Sequence, residues 1–183
     1  AGATYSLAVR TNGTLWAWGE NNVGQLGDGT TTNRTVQTQI GADTKWTSAV
    51  AGQDHSVGLK ADGTLWAWGH NNFGQLGDGT GSDRSSPTQI GSGTNWVSIA
   101  AGAEHSIGLR ADGTLWTWGH NNYGQLGDGS TTDRNAPEQL GTDNNWVSVA
   151  AGNFYCLALK SNGTLWAWGQ NANGQLGDGS TTD

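Results

Sequence analysis

The chain has no methionine, one cysteine, two prolines among 183 residues, and only eight lysines and arginines. Each scarcity excludes something. A lone thiol, Cys156, cannot close an internal disulfide, so no covalent staple holds this fold. Eight cations against fifteen carboxylates give a formal charge of -7 and leave no basic stripe. Nucleic-acid binders neutralise phosphates with Lys and Arg, so nucleic acid is not expected as a partner, and neither is an anionic membrane surface. No apolar run approaches the roughly 20 residues of a membrane span, so no membrane insertion is expected. No stretch sustains a 3.6-residue period, so helices should be nearly absent.

Glycine, in contrast, is abundant, with 31 residues at fixed register rather than in flexible tracts. The segment Gly13–Gly19 (GTLWxWG) recurs at Gly63–Gly69, Gly113–Gly119 and Gly163–Gly169, each time 50 residues on. The hexapeptide GQLGDG recurs at 24–29, 74–79, 124–129 and 174–179, and no insertion breaks the register. Self-similarity at this spacing marks a repeat architecture. It also bears on function. A catalytic centre needs one asymmetric constellation, whereas repeats offer the same groups several times and build a surface.

One unit shows the local structure. Trp96–Ala101 alternates apolar and small polar residues, as a strand does, and His105–Arg110 reads as a second strand. Asp112-Gly113 matches Asn12-Gly13, Asp62-Gly63 and Asn162-Gly163, dipeptides that favour a type I′ hairpin turn. Thr114–Gly119 is then a third strand, 120–136 a polar loop, and Pro137–Leu140 a short outer strand opened by its proline. Four short antiparallel strands per 50 residues form the blade of a β-propeller. The expected fold is therefore all-β: a single repeat domain over 1–183, with units 1–45, 46–95, 96–145 and 146–183. The first and last are incomplete, giving about 3.7 repeats. The eleven tryptophans are expected to fill the gaps between blades, so Leu65, Trp66, Trp68, Leu76 and their copies should be buried.

The full repeat, AG-x-x-H-S-x-x-L-[KR]-x-[DN]-G-T-L-W-x-W-G-x-N-x-x-G-Q-L-G-D-G, resembles that of the regulator of chromosome condensation family in its compact bacterial form. The resemblance runs from Ala1 to Asp183 and implies a propeller of seven blades in the complete family fold. It also implies a role in binding proteins, as in a secreted bacterial relative that inhibits β-lactamase through loops on one face. Guanine-nucleotide exchange, the founder's activity, does not carry over. It depends there on an inserted wedge and a basic tail, and this sequence matches neither. With fewer than seven repeats present, the chain is expected to be part of a longer propeller or to associate with other copies.

The motifs that invite chemistry have structural readings. GQLGDG is not GxGxxG, lacks a following Lys-Ser/Thr and opens no helix, so it is not a phosphate loop. Asp78/Asp83 and Asp128/Asp133 match no calcium-loop pattern and read as loop hydrogen-bonders. His55 and His105 are replaced by Tyr5 and Tyr155 in the other units, which rules them out as a repeated zinc site. No catalytic residue, cofactor or metal is expected, and the chain reads as a non-enzyme.

What remains is variation on a constant background. Positions 3–5, 53–55, 103–105 and 153–155 differ between units, as do Glu20/Val23, His70/Phe73, His120/Tyr123 and Gln170/Asn173. Loops after the first and third strands emerge at the same end of a blade. One face should therefore carry Asp54, His70, Phe73, Glu104, His120, Tyr123, Phe154 and Gln170, with Phe73, Tyr123 and Phe154 partly exposed. Aromatic anchors among polar neighbours have the composition of a protein interface. The expected function is a non-catalytic protein-binding or scaffold propeller. A carbohydrate-binding propeller and a structural repeat building an extended assembly are the alternatives. Scarce lysine with abundant Thr, Asn, Gly and Trp favours a secreted or cell-surface bacterial protein.

Overall fold

The structure is a computed structural model that describes residues 1–183. It contains fourteen strands and no helix. Unit one is β1 (Tyr5–Val9), β2 (Leu15–Gly19) and β3 (Arg34–Gln39). Unit two is β4 (Trp46–Ala51), β5 (His55–Lys60), β6 (Leu65–Gly69) and β7 (Arg84–Gln89). Unit three repeats it with β8 (Trp96–Ala101), β9 (His105–Arg110), β10 (Leu115–Gly119) and β11 (Arg134–Gln139). Unit four is β12 (Trp146–Ala151), β13 (Tyr155–Lys160) and β14 (Leu165–Gly169). Each unit is its own antiparallel meander, so the sheets have three, four, four and three strands, with the Trp-rich strand interior in the two four-stranded sheets. The sheets stand side by side as an open arc of propeller blades.

Three details depart from the sequence reading. The hairpin after β5 is not type I′, because only glycines have positive φ. Gly63 N donates to Lys60 O at 2.9 Å and Gly63 has φ +75°, which is a turn centred on Ala61-Asp62 followed by a left-handed glycine. The Asp62 side chain accepts from Thr64 N and Oγ1 instead of its backbone taking positive φ. The outer strand begins earlier than expected, at Arg134, so Pro137 is its fourth residue and not its first. Register slips between Thr117 and Gly119, and Pro137 occupies that irregular stretch on the outer edge, where no ladder donor is needed. Finally, burial is not uniform. Trp16, Trp66 and Trp116 are half-buried. In unit four Leu165 is 68% and Trp166 51% exposed, whereas Leu15, Leu65 and Leu115 are fully buried against the next blade.

The apolar core lies between blades. One cluster joins Leu15, Leu26 and Ile40 of unit one to Trp46 and Trp68 of unit two. Another joins Leu65, Leu76 and Ile90 to Trp96 and Trp118. A third joins Ile107, Leu109 and Leu115 to Trp146, Cys156 and Ala158. Burying each large ring contributes a few kcal/mol at about 25 cal/mol per Å². Polar contacts fix the same register. Trp68 Nε1 donates to Gln25 O (2.9 Å), Ser56 Oγ donates to the same carbonyl (2.7 Å), and Gly29 N donates to Ser85 O (2.8 Å). Glycine at 27 is required because a Cβ there would lie 2.8 Å from Trp68 Nε1 at φ +80°. The GQLGDG loop is thus a clamp that each blade lays over the next.

Candidate protein-binding face

The chain climbs through β4 and descends through β5, so the turn at 52–54 and the long loop at 70–83 open at the same end of the blade. A backbone hydrogen bond ties these two loops in every unit. Glu20 N, His70 N, His120 N and Gln170 N donate to Thr4 O, Asp54 O, Glu104 O and Phe154 O. The long loop is organised from within by one buried asparagine. Asn71 Oδ1 accepts from Leu76 N (3.0 Å), while Nδ2 donates to Asp78 Oδ1, Thr80 O and Ser82 O (3.0, 3.0 and 3.1 Å). Asn71 N donates to Asp83 Oδ1 at 2.8 Å. Asp78 also binds Thr80 and pairs with Arg84 at 2.7 Å. Burial pushes the Asp78 carboxyl up, but the bonds from Thr80, Arg84 and Asn71 outweigh it and hold it below the ordinary carboxylate range. Both aspartates of the oxygen-rich loop therefore have structural partners.

On this frame the variable side chains meet. Phe73 of unit two lies on His120 of unit three, with ring centroids 4.4 Å apart. Tyr123 of unit three lies on Phe154 of unit four at 5.3 Å, and His120 meets Phe154 edge-on at 6.1 Å. His70 adds its ring edge to Phe73 at 6.4 Å. The result is one row of rings crossing three blades. Tyr123 is 37% exposed, Phe73 and Phe154 are half-buried, and His120 is buried beneath them. Glu104 Oε2 stands 3.3 Å from His120 Nδ1. Gln125 Nε2 lies 3.2 Å from the same nitrogen, so amide and carboxylate compete for it. Asp54 sits beside His70 through the backbone bond, with its carboxylate accepting from Gln53 Nε2 at 3.1 Å. Gln170 joins the row only through its backbone bond to Phe154. Of the residues picked out from sequence, His70, Phe73, His120, Tyr123 and Phe154 are in ring contact and Glu104 adjoins His120, while Asp54 and Gln170 join the row only through backbone bonds.

Two participants were missed. Gln75 and Gln125 brace the row from below: Gln75 Oε1 accepts from Phe73 N at 3.0 Å and its amide meets His70 Nδ1 at 3.1 Å. Asn71 and its copies hold the whole loop. Both residues are identical in all four units, which is the signal that could have identified them. At the axis, the Ala-Gly turns 1–3, 51–53, 101–103 and 151–153 line an open recess of about 400 Å³ that is mostly backbone.

The model of the RCC1-like domain family matches residues 1–183. The chain belongs to the RCC1-like domain family. No curated protein matches it in sequence. Among solved structures, human WBSCR16 superposes with a TM-score of 0.86 at 26% identity, over 100% of this chain and 48% of that one. Yeast RCC1 (Prp20) bound to Kap60 gives 0.86 at 26% identity, over 100% of this chain and 45% of that one. Prp20p of Saccharomyces cerevisiae, described with its binding properties to Gsp1p and histones, gives 0.84 at 27% identity, over 100% and 47%. The chain thus spans about half the length of these RCC1-like propellers. Its neighbours in this fold include proteins that bind other proteins.

Proposed function

We propose that this RCC1-like chain is a non-catalytic protein-binding scaffold that engages its partner through the loop face. The observation that carries this reading is the row Phe73, His120, Tyr123 and Phe154, contributed by three successive blades and flanked by Asp54 and Glu104. Rigid aromatic side chains on a braced backbone lose little entropy on binding and have the chemistry of interface hot spots. The yeast neighbour's association with Kap60, Gsp1p and histones supports protein binding as the mode, without indicating the partner here. The test is affinity capture with quantitative mass spectrometry, comparing the chain with a Phe73→Ala/Tyr123→Ala/Phe154→Ala variant of equal melting temperature. Proteins captured by the first and lost by the second support the reading. Undiminished capture by the variant overturns it, and glycan-array hits lost in the variant would assign the face to sugars instead.

A second reading, association with a further blade of a longer chain or of another copy, draws on the 68% exposure of Leu165, whose copies Leu15, Leu65 and Leu115 are fully buried against the next blade. Sedimentation at micromolar concentration tests it. A secreted or cell-surface bacterial setting rests on composition alone, and fractionation of the source cell would decide it.

A further inference from the structure

Resting on the loop-face reading above, we infer that the occupant of this face is a basic protein element that presents Lys or Arg beside an apolar or aromatic side chain. Charge is distributed unequally between the two ends of the blades. Ten of the fifteen carboxylates lie in the turns and long loops at the loop end, with only three cations, which accounts for the full formal charge of -7. The remaining five carboxylates and five cations lie along the strands or at the hairpin end and cancel. The three loop-end cations are already engaged: Arg34, Arg84 and Arg134 each pair with the aspartate of their own loop at 2.6–2.8 Å. No Lys or Arg lies within the two variable loop sets, so Asp54 and Glu104 stand beside the rings without a lysine or arginine partner.

The hairpin end handles its cations differently. Lys60 sits 3.5 Å above the Trp66 ring and pairs with Asp43, while Arg110 sits 3.7 Å above Trp116. Those stacks satisfy charge and aromatic face within the chain. On the loop face the equivalent ingredients, aromatic rings and carboxylates, are present without the cation. A guanidinium or ammonium over Phe154 or Phe73 would complete the same arrangement in trans, with Glu104, beside His120, as counter-ion in the first case and Asp54, beside His70, in the second. The rings on either side would accept an adjacent apolar group, and the net negative field would speed the encounter. Acidic proteins, phosphorylated segments and nucleic acids are repelled by the same field.

Selection of a phage-displayed library of random linear peptides against the full chain tests this. Selected peptides should share Lys or Arg next to an aromatic or branched apolar residue. Their affinity should fall at least about tenfold in Phe73→Ala/Tyr123→Ala. It should also fall in Asp54→Asn/Glu104→Gln and when sodium chloride is raised from about 50 to about 500 mM. Melting temperature is measured on each variant to show that it is folded. Acidic or uncharged consensus peptides that still lose affinity in Phe73→Ala/Tyr123→Ala overturn the basic partner while leaving the face as the site. Peptides of any sequence that bind both variants equally overturn the face itself, and failure to recover a consensus counts against the inference.

Discussion

Acid should unfold this protein through two rings on which its binding face does not depend. His55 and His105 are fully buried between blades. Ser106 Oγ donates to Gln75 O, so it must accept from His55 Nε2 at 3.0 Å, which fixes the proton on Nε2. Cys156 Sγ donates to Gln125 O in the same way, and His105 Nε2 meets it at 3.0 Å. Nδ1 of both rings is therefore unprotonated and has no hydrogen-bond partner. A second proton would create a buried cation, which for His55 the backbone of Ala103 offsets only in part. Burial accordingly pushes His55 down to about 4, with the charge of His70 adding to the effect. Burial pushes His105 down to about 3, with His55 and His120 adding. The unfolded chain takes up these protons near pH 6.5 and the folded chain does not, so stability falls as pH drops from about 6.5 towards the folded values. At pH 5 the loss is about 2 kcal/mol per ring, or about 4 kcal/mol together, a large share of an ordinary domain's stability. The carboxylates, whose unfolded values lie near 3.8, contribute their own loss only below about pH 4.5, so the window from 6.5 to 5 isolates the two rings. Tyr5 supplies the control substitution. At the equivalent position its hydroxyl bonds to His55 O and to Ser56 Oγ, so a tyrosine fits this slot with no group that titrates in the window. Urea unfolding followed by tryptophan fluorescence at pH 7.5 and pH 5 should show a drop of about 4 kcal/mol in the native protein and little drop in His55→Tyr/His105→Tyr. An equal drop in both, or none in either, would refute the reasoning.

Three further outcomes follow from the inter-blade contacts. Gly77→Ala should cost about 2–4 kcal/mol by equilibrium unfolding, because Gly77 has φ +78° and a Cβ there would meet Trp118 at 2.9 Å; a neutral result would mean that the loop clamp is loose. Asn71→Ala removes the partner of Leu76 N and of several loop oxygens and should cost about 2–4 kcal/mol. Limited proteolysis should then cut first within 72–83, and unchanged protection would contradict the hub role. Cys156→Ser should be neutral or stabilising by up to about 1 kcal/mol, since Ser56 and Ser106 make the same bond to Gln25 O and Gln75 O. In the native protein this thiol, buried and pushed up in pKa by desolvation, should react with Ellman's reagent only on the timescale of unfolding.

Where the sequence was legible, one residue type at one register had a single physical reading. Trp96–Ala101 alternates apolar and small polar residues, and the structure makes it a strand over those residues, with Trp96 packed in the core shared with the preceding blade. Where two chemistries could serve the same purpose, the sequence was ambiguous. Asp62-Gly63 can make a hairpin by positive φ at both residues or by a side-chain bond to Thr64, and only the backbone reveals the second. The unequal burial of Trp66 and Trp68 was hidden for a related reason. Both rings lie on one side of β6, two residues apart, so the strand period assigns them alike, yet Trp68 sits inside the core shared with unit one while Trp66, nearer the hairpin, is stacked under Lys60. The variable row was visible as positions, but its contacts run from one unit to the next. Phe73 meets His120, 47 residues on, a distance no local pattern encodes.

The same geometry explains why one sequence can be so constant and yet carry a variable surface. The loop ends at positions 4 and 20 of each unit are joined backbone to backbone, a bond indifferent to the side chain. Asn71, Gln75 and the clamp glycine Gly77 hold the frame with side-chain and steric demands that tolerate no substitute, and they are identical in every unit. Stability thus resides in the clamps and inter-blade cores, while the ring row contributes area that is still half-open to solvent. Separating the two lets recognition residues change without unfolding the blade. For that reason the Phe73/Tyr123/Phe154 substitutions can be read as tests of binding, whereas substitution of Trp68 or Leu76 reports only on the fold.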